Sequence, residues 1–281
     1  MHKLLPIIIS FICVFLCSTL AFSQTYPQRI ISLGPPVTEQ LYLLEVEGRI
    51  VGVTTYCQRP YQAQKKEKIG TVTKLDIEKV LSLKPDLVLA TSLTDPKAKE
   101  KLANLGIKVV TFSTPKNFKQ MYEQFLEIGR LMGKEKEAKE IFKRTNKELV
   151  SIKQKIEGLT QPKVIIQIGA NPLFVVPKDS FVNDLIELAG GINIGPKGKS
   201  GLYSRENIIK DNADIIIIAT MGIVGEEEKN IWQRYKTLTA VRDNRIYIID
   251  AYKLCSPTVV SLVGTLKEMI VILHPSLKDK T

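Results

Sequence analysis

The sequence predicts two α/β lobes with mainly parallel sheets, joined by one long helix, with a ligand cleft between the lobes. Three observations carry this. Short, continuously apolar runs alternate with helical stretches in both halves of the chain. A segment from Asn117 to Gly158 is purely helical. One sequence pattern occurs once in each half. Continuous apolar runs are what strands buried on both faces need, and regular strand–helix alternation implies a parallel sheet.

The chain begins with a leader. Lys3 gives a basic start, Leu4 to Leu20 is almost wholly apolar, and Ala21-Phe22-Ser23 places small residues before a cut at Gln24. Residues 1–23 therefore read as a secretory signal, and the protein as periplasmic or otherwise exported across the inner membrane. The alternative is a retained membrane anchor, since about 17 apolar residues is the lower limit for a span. Lipoprotein processing at Cys17 is disfavoured by bulky Leu16.

In the N-terminal lobe (24–132), strands are predicted at Arg29–Leu33, Ile50–Thr54, Asp86–Ala90 and Ile107–Phe112. Helices are predicted at Thr38–Leu44, Ile77–Leu83 and Pro96–Leu105. Phe118, Met121, Tyr122, Phe125 and Leu126 then share one helical face. Gly133 interrupts it, and the connecting segment (133–160) carries Ala138, Ile141, Phe142, Leu149, Ile152 and Ile156 as one apolar stripe of about six turns. Gly158 and Pro162 end it. The C-terminal lobe (161–281) resumes the alternation. Its strands are Lys163–Gly169, Asp214–Ala219 and Arg245–Asp250, and its helices Phe181–Ala189, Arg205–Lys210 and Val259–Leu273.

Composition narrows the chemistry. The 281 residues include 40 Lys+Arg against 29 Asp+Glu, but only two His and four Cys. His2 lies in the leader, so a multi-histidine metal site or an imidazole-centred triad is excluded. No enzyme motif is present, and the chain is not expected to be an enzyme. Asn193 to Ser200 ends like a phosphate loop but lacks its first glycine and follows a helix. The excess lysines alternate with Glu on helical stretches, and no nucleic acid is expected as partner.

The recurring pattern is Asp76-Ile77-Glu78 … Asp86 and Ser204-Arg205-Glu206 … Asp214. Asp76 and Ser204 suit helix N-caps, and each Glu falls in a first turn, where the helix dipole favours a carboxylate. Each Glu precedes by eight residues an Asp that opens a buried strand. A helix-start Glu is common. Its recurrence in both halves also fits paired acidic posts that meet arginines of a two-fold partner.

The stretches RIISLGPPVTEQLYLL, IVGVTTYCQRP, DIEKVLSLKPDLVLA, QIGANPLFVVPKDSFVNDLIELAGGINI, SRENIIKDNADIIII and SPTVVSLVGTLKEMIVILHP resemble the periplasmic binding proteins for cobalamin and iron–siderophore complexes that serve ABC importers, the cobalamin-binding members most. The resemblance spans nearly the whole chain after the leader. It implies a monomeric carrier for a corrinoid metal chelate, or alternatively an iron–siderophore complex or haem. It needs no cofactor of its own and works with a permease dimer and its ATPase. By motif, Glu78 and Glu206 correspond to the permease-docking glutamates. Tyr56 and Phe174 correspond to aromatic cleft positions. Val72 stands where cobalamin-binding relatives have a tryptophan, and another aromatic that the resemblance leads one to expect near Ser200 is absent.

Ligands of open α/β sheets sit beyond the carboxyl ends of the strands. The loops expected there are Leu33–Glu39, Thr55–Pro60 and Gly169–Phe174. They place Tyr56, Cys57 and Arg59 from one lobe and Phe174 from the other at the cleft, with Cys255 and Lys253 nearby. Arg59 and Lys253 would suit an anionic chelate, or serve as ordinary surface charges. Cys57 and Cys255 leave three readings open: a disulfide, two free thiols, or a thiolate touching a chelated metal.

Overall fold

A computed structural model describes residues 26–219 and 224–280. The predicted leader, with Cys13 and Cys17, lies outside the described residues. The N-terminal sheet holds β1 (Ile30–Ser32), β2 (Ile50–Val53), β3 (Leu87–Thr91) and β4 (Lys108–Phe112) in the order β2-β1-β3-β4, all parallel. The C-terminal sheet is built on β5 (Lys163–Gly169), with β6 (Phe174–Val175), β7 (Ile192–Asn193), β8 (Ile215–Ile218) and β9 (Ile246–Ile248). There β5, β8 and β9 are parallel. β7 pairs parallel with the start of β5, and β6 pairs antiparallel with its end. Both lobes thus share one topology, with β5 and β8 standing where β1 and β3 do.

The helices are α1 (Pro35–Leu43), α2 (Ile77–Ser82), α3 (Pro96–Asn104), α4 (Phe118–Met132), α5 (Glu135–Ile156), α6 (Phe181–Leu188), α7 (Arg205–Asp211), α8 (Val224–Trp232), α9 (Thr239–Arg242), α10 (Ala251–Cys255) and α11 (Ser261–Leu273). Gly133, at a positive φ of 73°, ends α4, and the long α5 follows. Tyr122 and Phe118 of α4 stack on Phe142 of α5. α1 begins three residues earlier than its pattern predicts. Pro35 and Pro36 occupy its first positions, where a missing N–H costs nothing. The expected Leu33–Glu39 loop is therefore only Leu33-Gly34. Gly34 is required there, because a Cβ would strike the Thr91 methyl.

Alternation along each strand divides the apolar side chains between layers. Ile30, Leu87 and Leu89 face the same continuous core as Val164, Ile166, Ile215 and Ile217. That core also contains Phe125 of α4, Leu149 of α5 and Leu266 of α11, so it runs through both lobes. Ile31, Leu33, Val88 and Ala90 face a separate outer layer in the N-terminal lobe, and Ile165, Ile216 and Ile218 face another in the C-terminal lobe. A shared apolar core between lobes resists wide opening.

Candidate functional site

The recurring pattern is a structural repeat. The Asp76 carboxylate caps α2 by accepting Lys79 N–H, and the Ser204 hydroxyl caps α7 by accepting Asn207 N–H. The Asp86 carboxylate accepts the N–H groups of Gln28 and Arg29, and Asp214 accepts that of Lys163, so each ties its strand to the first strand of its lobe. Arg29 donates to the Leu83 and Lys84 carbonyls after α2, and Lys163 Nζ to the Asp211 carbonyl at the end of α7. The cation thus anchors the C-terminal end of each helix to the first strand of its lobe. Glu78 and Glu206 then stand exposed at corresponding positions. A bond from its own N–H, and one from Ser204, hold the Glu206 carboxyl below the usual range.

Tyr56, on the loop after β2, is 51% exposed, and Phe174, opening β6 after β5, is 38% exposed. Phe174 bridges to Leu202, itself 56% exposed. Leu202 is an exposed apolar side chain that the sequence reading missed. Nothing local marks it, because a loop nine residues beyond β7 was joined to β6 only by tertiary pairing.

Cys57 departs from expectation. Its thiol is fully buried in the shared core, 3.1 Å from Thr38 Oγ1 and 3.2 Å from Thr54 Oγ1. Cys57 N–H bonds back to the Thr54 carbonyl, and this tight turn points the side chain inward. It lines no cleft, so a thiolate on a chelated metal is not available from it. Cys255, the last residue of α10, is exposed, and both cysteines are free, which sets aside the disulfide.

Arg59 also departs from the role of a cleft cation. Its guanidinium lies 3.7 Å from the Tyr252 ring centroid, donates to the Tyr252 carbonyl at 3.3 Å and pairs with Glu39 at 3.6 Å. Thr258 Oγ1 donates to Glu39 Oε1 at 3.1 Å. Glu39 and Arg59 belong to the N-terminal lobe, Tyr252 and Thr258 to the other, so these groups form a polar seam across the lobes. Burial raises the Glu39 carboxyl above its ordinary pKa, opposed by Arg59 and then by the Thr258 and Ser261 hydroxyls. Burial pushes the Tyr252 phenol up to about 12, against the pull of Arg59. Lys253 is likewise engaged, with Glu268 at 2.6 Å. A hollow of about 770 Å³ flanks this seam, lined by Tyr42, Arg59, Tyr61 and neighbours of the N-terminal lobe alone. It includes neither Tyr56 nor Phe174.

Among the described residues no cluster of three His, Cys, Asp or Glu is placed to hold a bare metal ion, and no helix is long and apolar enough to cross a membrane. The two lobes share a core, and each carries an exposed carboxylate at a corresponding helix start. Residues 30–253 match the periplasmic binding protein family. The chain belongs to that family. An uncharacterized ABC transporter substrate-binding lipoprotein, YvrC, of Bacillus subtilis (strain 168) is 31% identical over 234 residues, covering 80% of this chain and 73% of the relative. A vitamin B12-binding protein of Photorhabdus laumondii is 26% identical over 227 residues, 77% of this chain and 81% of that one. The crystal structure of a possible iron-binding, periplasmic solute-binding protein of Staphylococcus epidermidis superposes with a TM-score of 0.80 at 28% identity, over 89% of this chain and 100% of that chain. This protein is therefore a substrate-binding protein of an ABC transporter and not an enzyme. Such proteins work with a permease and an ATPase.

Proposed function

We propose that the protein captures a corrinoid, cobalamin-like metal chelate between its lobes and delivers it to the permease of an ABC importer. One observation carries the reading. Exposed apolar side chains, Tyr56 from one lobe and Phe174 with Leu202 from the other, lie beyond the strand ends, where a flat macrocycle would be held. A metal inside its own chelate needs no protein ligand cluster. The vitamin B12-binding relative supports the same class. Cys255 remains in the proposed ligand set as an exposed thiol beyond β9. Cys57 does not, and Arg59 acts through the seam.

An iron–siderophore or haem carrier is the second reading, favoured by exposed Lys197 and Lys199 near Leu202, which suit an anionic chelate, and by the iron-binding structural relative. Recording the visible spectrum during titration with cobalamin, cobinamide, haem and ferric siderophores decides between them. Saturable binding of cobalamin or cobinamide is expected. Binding of a ferric siderophore or haem alone replaces the corrinoid by the second reading.

Glu78 and Glu206 are proposed to meet basic residues of a two-fold permease, one post from each lobe. The double variant Glu78→Ala, Glu206→Ala should reduce uptake about tenfold or more in a reconstituted importer with ligand affinity unchanged. Undiminished uptake removes the docking role. The relative's lipoprotein character suits a membrane-anchored carrier, and mass spectrometry of the mature N-terminus reads whether the leader is cut or retained.

A further inference from the structure

The outer layer of the C-terminal lobe contains a buried polar chain. Gln167, fully buried on β5, donates from Nε2 to the Gly169 carbonyl at 3.2 Å and to Glu228 Oε2 at 2.7 Å. Its Oε1 accepts the Trp232 indole N–H at 2.7 Å. An indole only donates and a carboxylate only accepts, so the amide has one orientation. Glu228, 3% exposed, also accepts Arg205 Nη2 at 2.6 Å. The Arg205 guanidinium sits 4.6 Å from the Trp232 ring centroid. Arg205 opens α7, and Glu206 is the next residue. Phe174 packs against Gly169 at the other end. Three side chains therefore connect the base of the segment bearing Phe174 to the helix start bearing Glu206.

The N-terminal lobe builds the same places from apolar residues. Leu33 follows β1 where Gln167 ends the register of β5 with β8, and Ile77 opens α2 as Arg205 opens α7. Ala98 and Leu102 of α3 are buried four residues apart, as Glu228 and Trp232 of α8 are. Replacing a buried ion pair by apolar groups is often neutral or stabilising, so stability alone gives no reason for the polar version.

We propose that Gln167, Glu228 and Arg205 are positioning residues, a tie that makes the Glu206 end of α7 follow the cleft segment after β5. The proposal rests on the reading of Phe174 as a cleft wall and Glu206 as a docking post. An occupant that shifts Gly169 moves the Gln167 amide, and through Glu228 it moves Arg205. Glu78 rests on apolar packing and stays fixed. One post is constant and the other reports the cleft.

The test is a coupling cycle read by hydrogen–deuterium exchange of the α7 amides in the ligand-free mature protein. Phe174→Ala disturbs Gly169. It is made in the wild-type frame and in Gln167→Leu, Glu228→Ala, Arg205→Ile, which copies the N-terminal lobe. Phe174→Ala should speed α7 exchange about fivefold or more in the wild-type frame and less than about twofold in the apolar frame. α2 exchange should not change. An equal α7 response in both frames, or none in either, overturns the tie. Should the triple variant fail to fold, Glu228→Gln takes its place, with the same two outcomes read for the Phe174→Ala response.

A second arm uses the full chain with its permease and ATPase, and cyanocobalamin as probe. Glu228→Gln should bring the ratio of ATPase stimulation with and without probe toward one, while probe affinity stays within about twofold. A ratio unchanged from wild type, where Glu206→Ala lowers it, overturns the tie. If cyanocobalamin does not bind, the corrinoid reading fails and the exchange cycle alone decides the tie. If the cycle shows coupling and Glu206→Ala leaves stimulation intact, the docking reading fails and the tie stands.

Discussion

The two lobes share a frame and differ in what fills it. In both, an Asp carboxylate ties β3 or β8 to the first strand of its lobe, a cation at that first strand caps the end of the helix before β3 or β8, and a polar N-cap starts that helix, which carries an exposed Glu. In the N-terminal lobe the layer behind that helix is Leu33, Val80, Ala90 and Leu102. In the C-terminal lobe Gln167, Glu228 and Arg205 stand there around Trp232. Apolar contacts are non-directional and tolerate small displacements. Short charge-assisted hydrogen bonds have direction and transmit them. Repetition thus explains two matching exposed carboxylates, and the departure from repetition is what singles out the C-terminal lobe for the proposed tie.

The comparison can be broken first at its most costly group. Glu228→Ala alone leaves the half-buried Arg205 without its carboxylate, and should lose about 3 kcal/mol in denaturant unfolding. The apolar triple variant should recover that loss. If the single and triple variants unfold alike, the network is not an ion pair compensated as described. In the other lobe, Leu33→Ala should cost about 2–5 kcal/mol by leaving a cavity, with no rescue from a polar partner. The N-caps should behave alike: Asp76→Ala and Ser204→Ala should each cost about 1 kcal/mol. Unequal costs, measured by chemical denaturation, would show that the helix starts are not equivalent.

The smallest effects are pH-dependent. Burial raises the Glu39 carboxyl, so its contribution to stability is fully present below 4.5 and is lost as pH rises through the folded value. Wild type compared with Glu39→Gln should lose relative stability across that window. Burial lowers His274, whose Nε2–H donates to the Ala189 carbonyl at 3.0 Å. Its contribution is present above 6.5 and is lost as pH falls through the lowered value. His274→Gln should remove that acid-side loss. Both differences should be at most about 1 kcal/mol, read as midpoint shifts between pH 4 and 8.

Much of the fold was legible because strand runs such as Asp214–Ala219 are apolar on both faces and helices such as Glu135–Ile156 carry a single stripe. The start of α1 was placed at Thr38 rather than Pro35, although the fixed φ of a proline suits a first helical turn. Of the candidate site, the caps and the two exposed carboxylates were visible in local spacing. Cys57 was not, since loop membership does not say which way a side chain turns. Leu202 and the Arg59–Tyr252 seam depend on residues far apart in sequence.

What the sequence by itself determined was the periodic and the repeated: two parallel-sheet lobes, the long α5, and two capped helices with an exposed carboxylate each. Those follow from residue-to-residue spacing, which local backbone geometry reads directly. Only the tertiary structure decided which polar groups were withdrawn from solvent and with whom they were paired. Cys57 went into the core, Arg59 onto Tyr252, and Gln167 between Gly169 and Glu228. Burial and hydrogen-bond partners are properties of the packed chain, because desolvation leaves a polar group only the neighbours that folding brings to it.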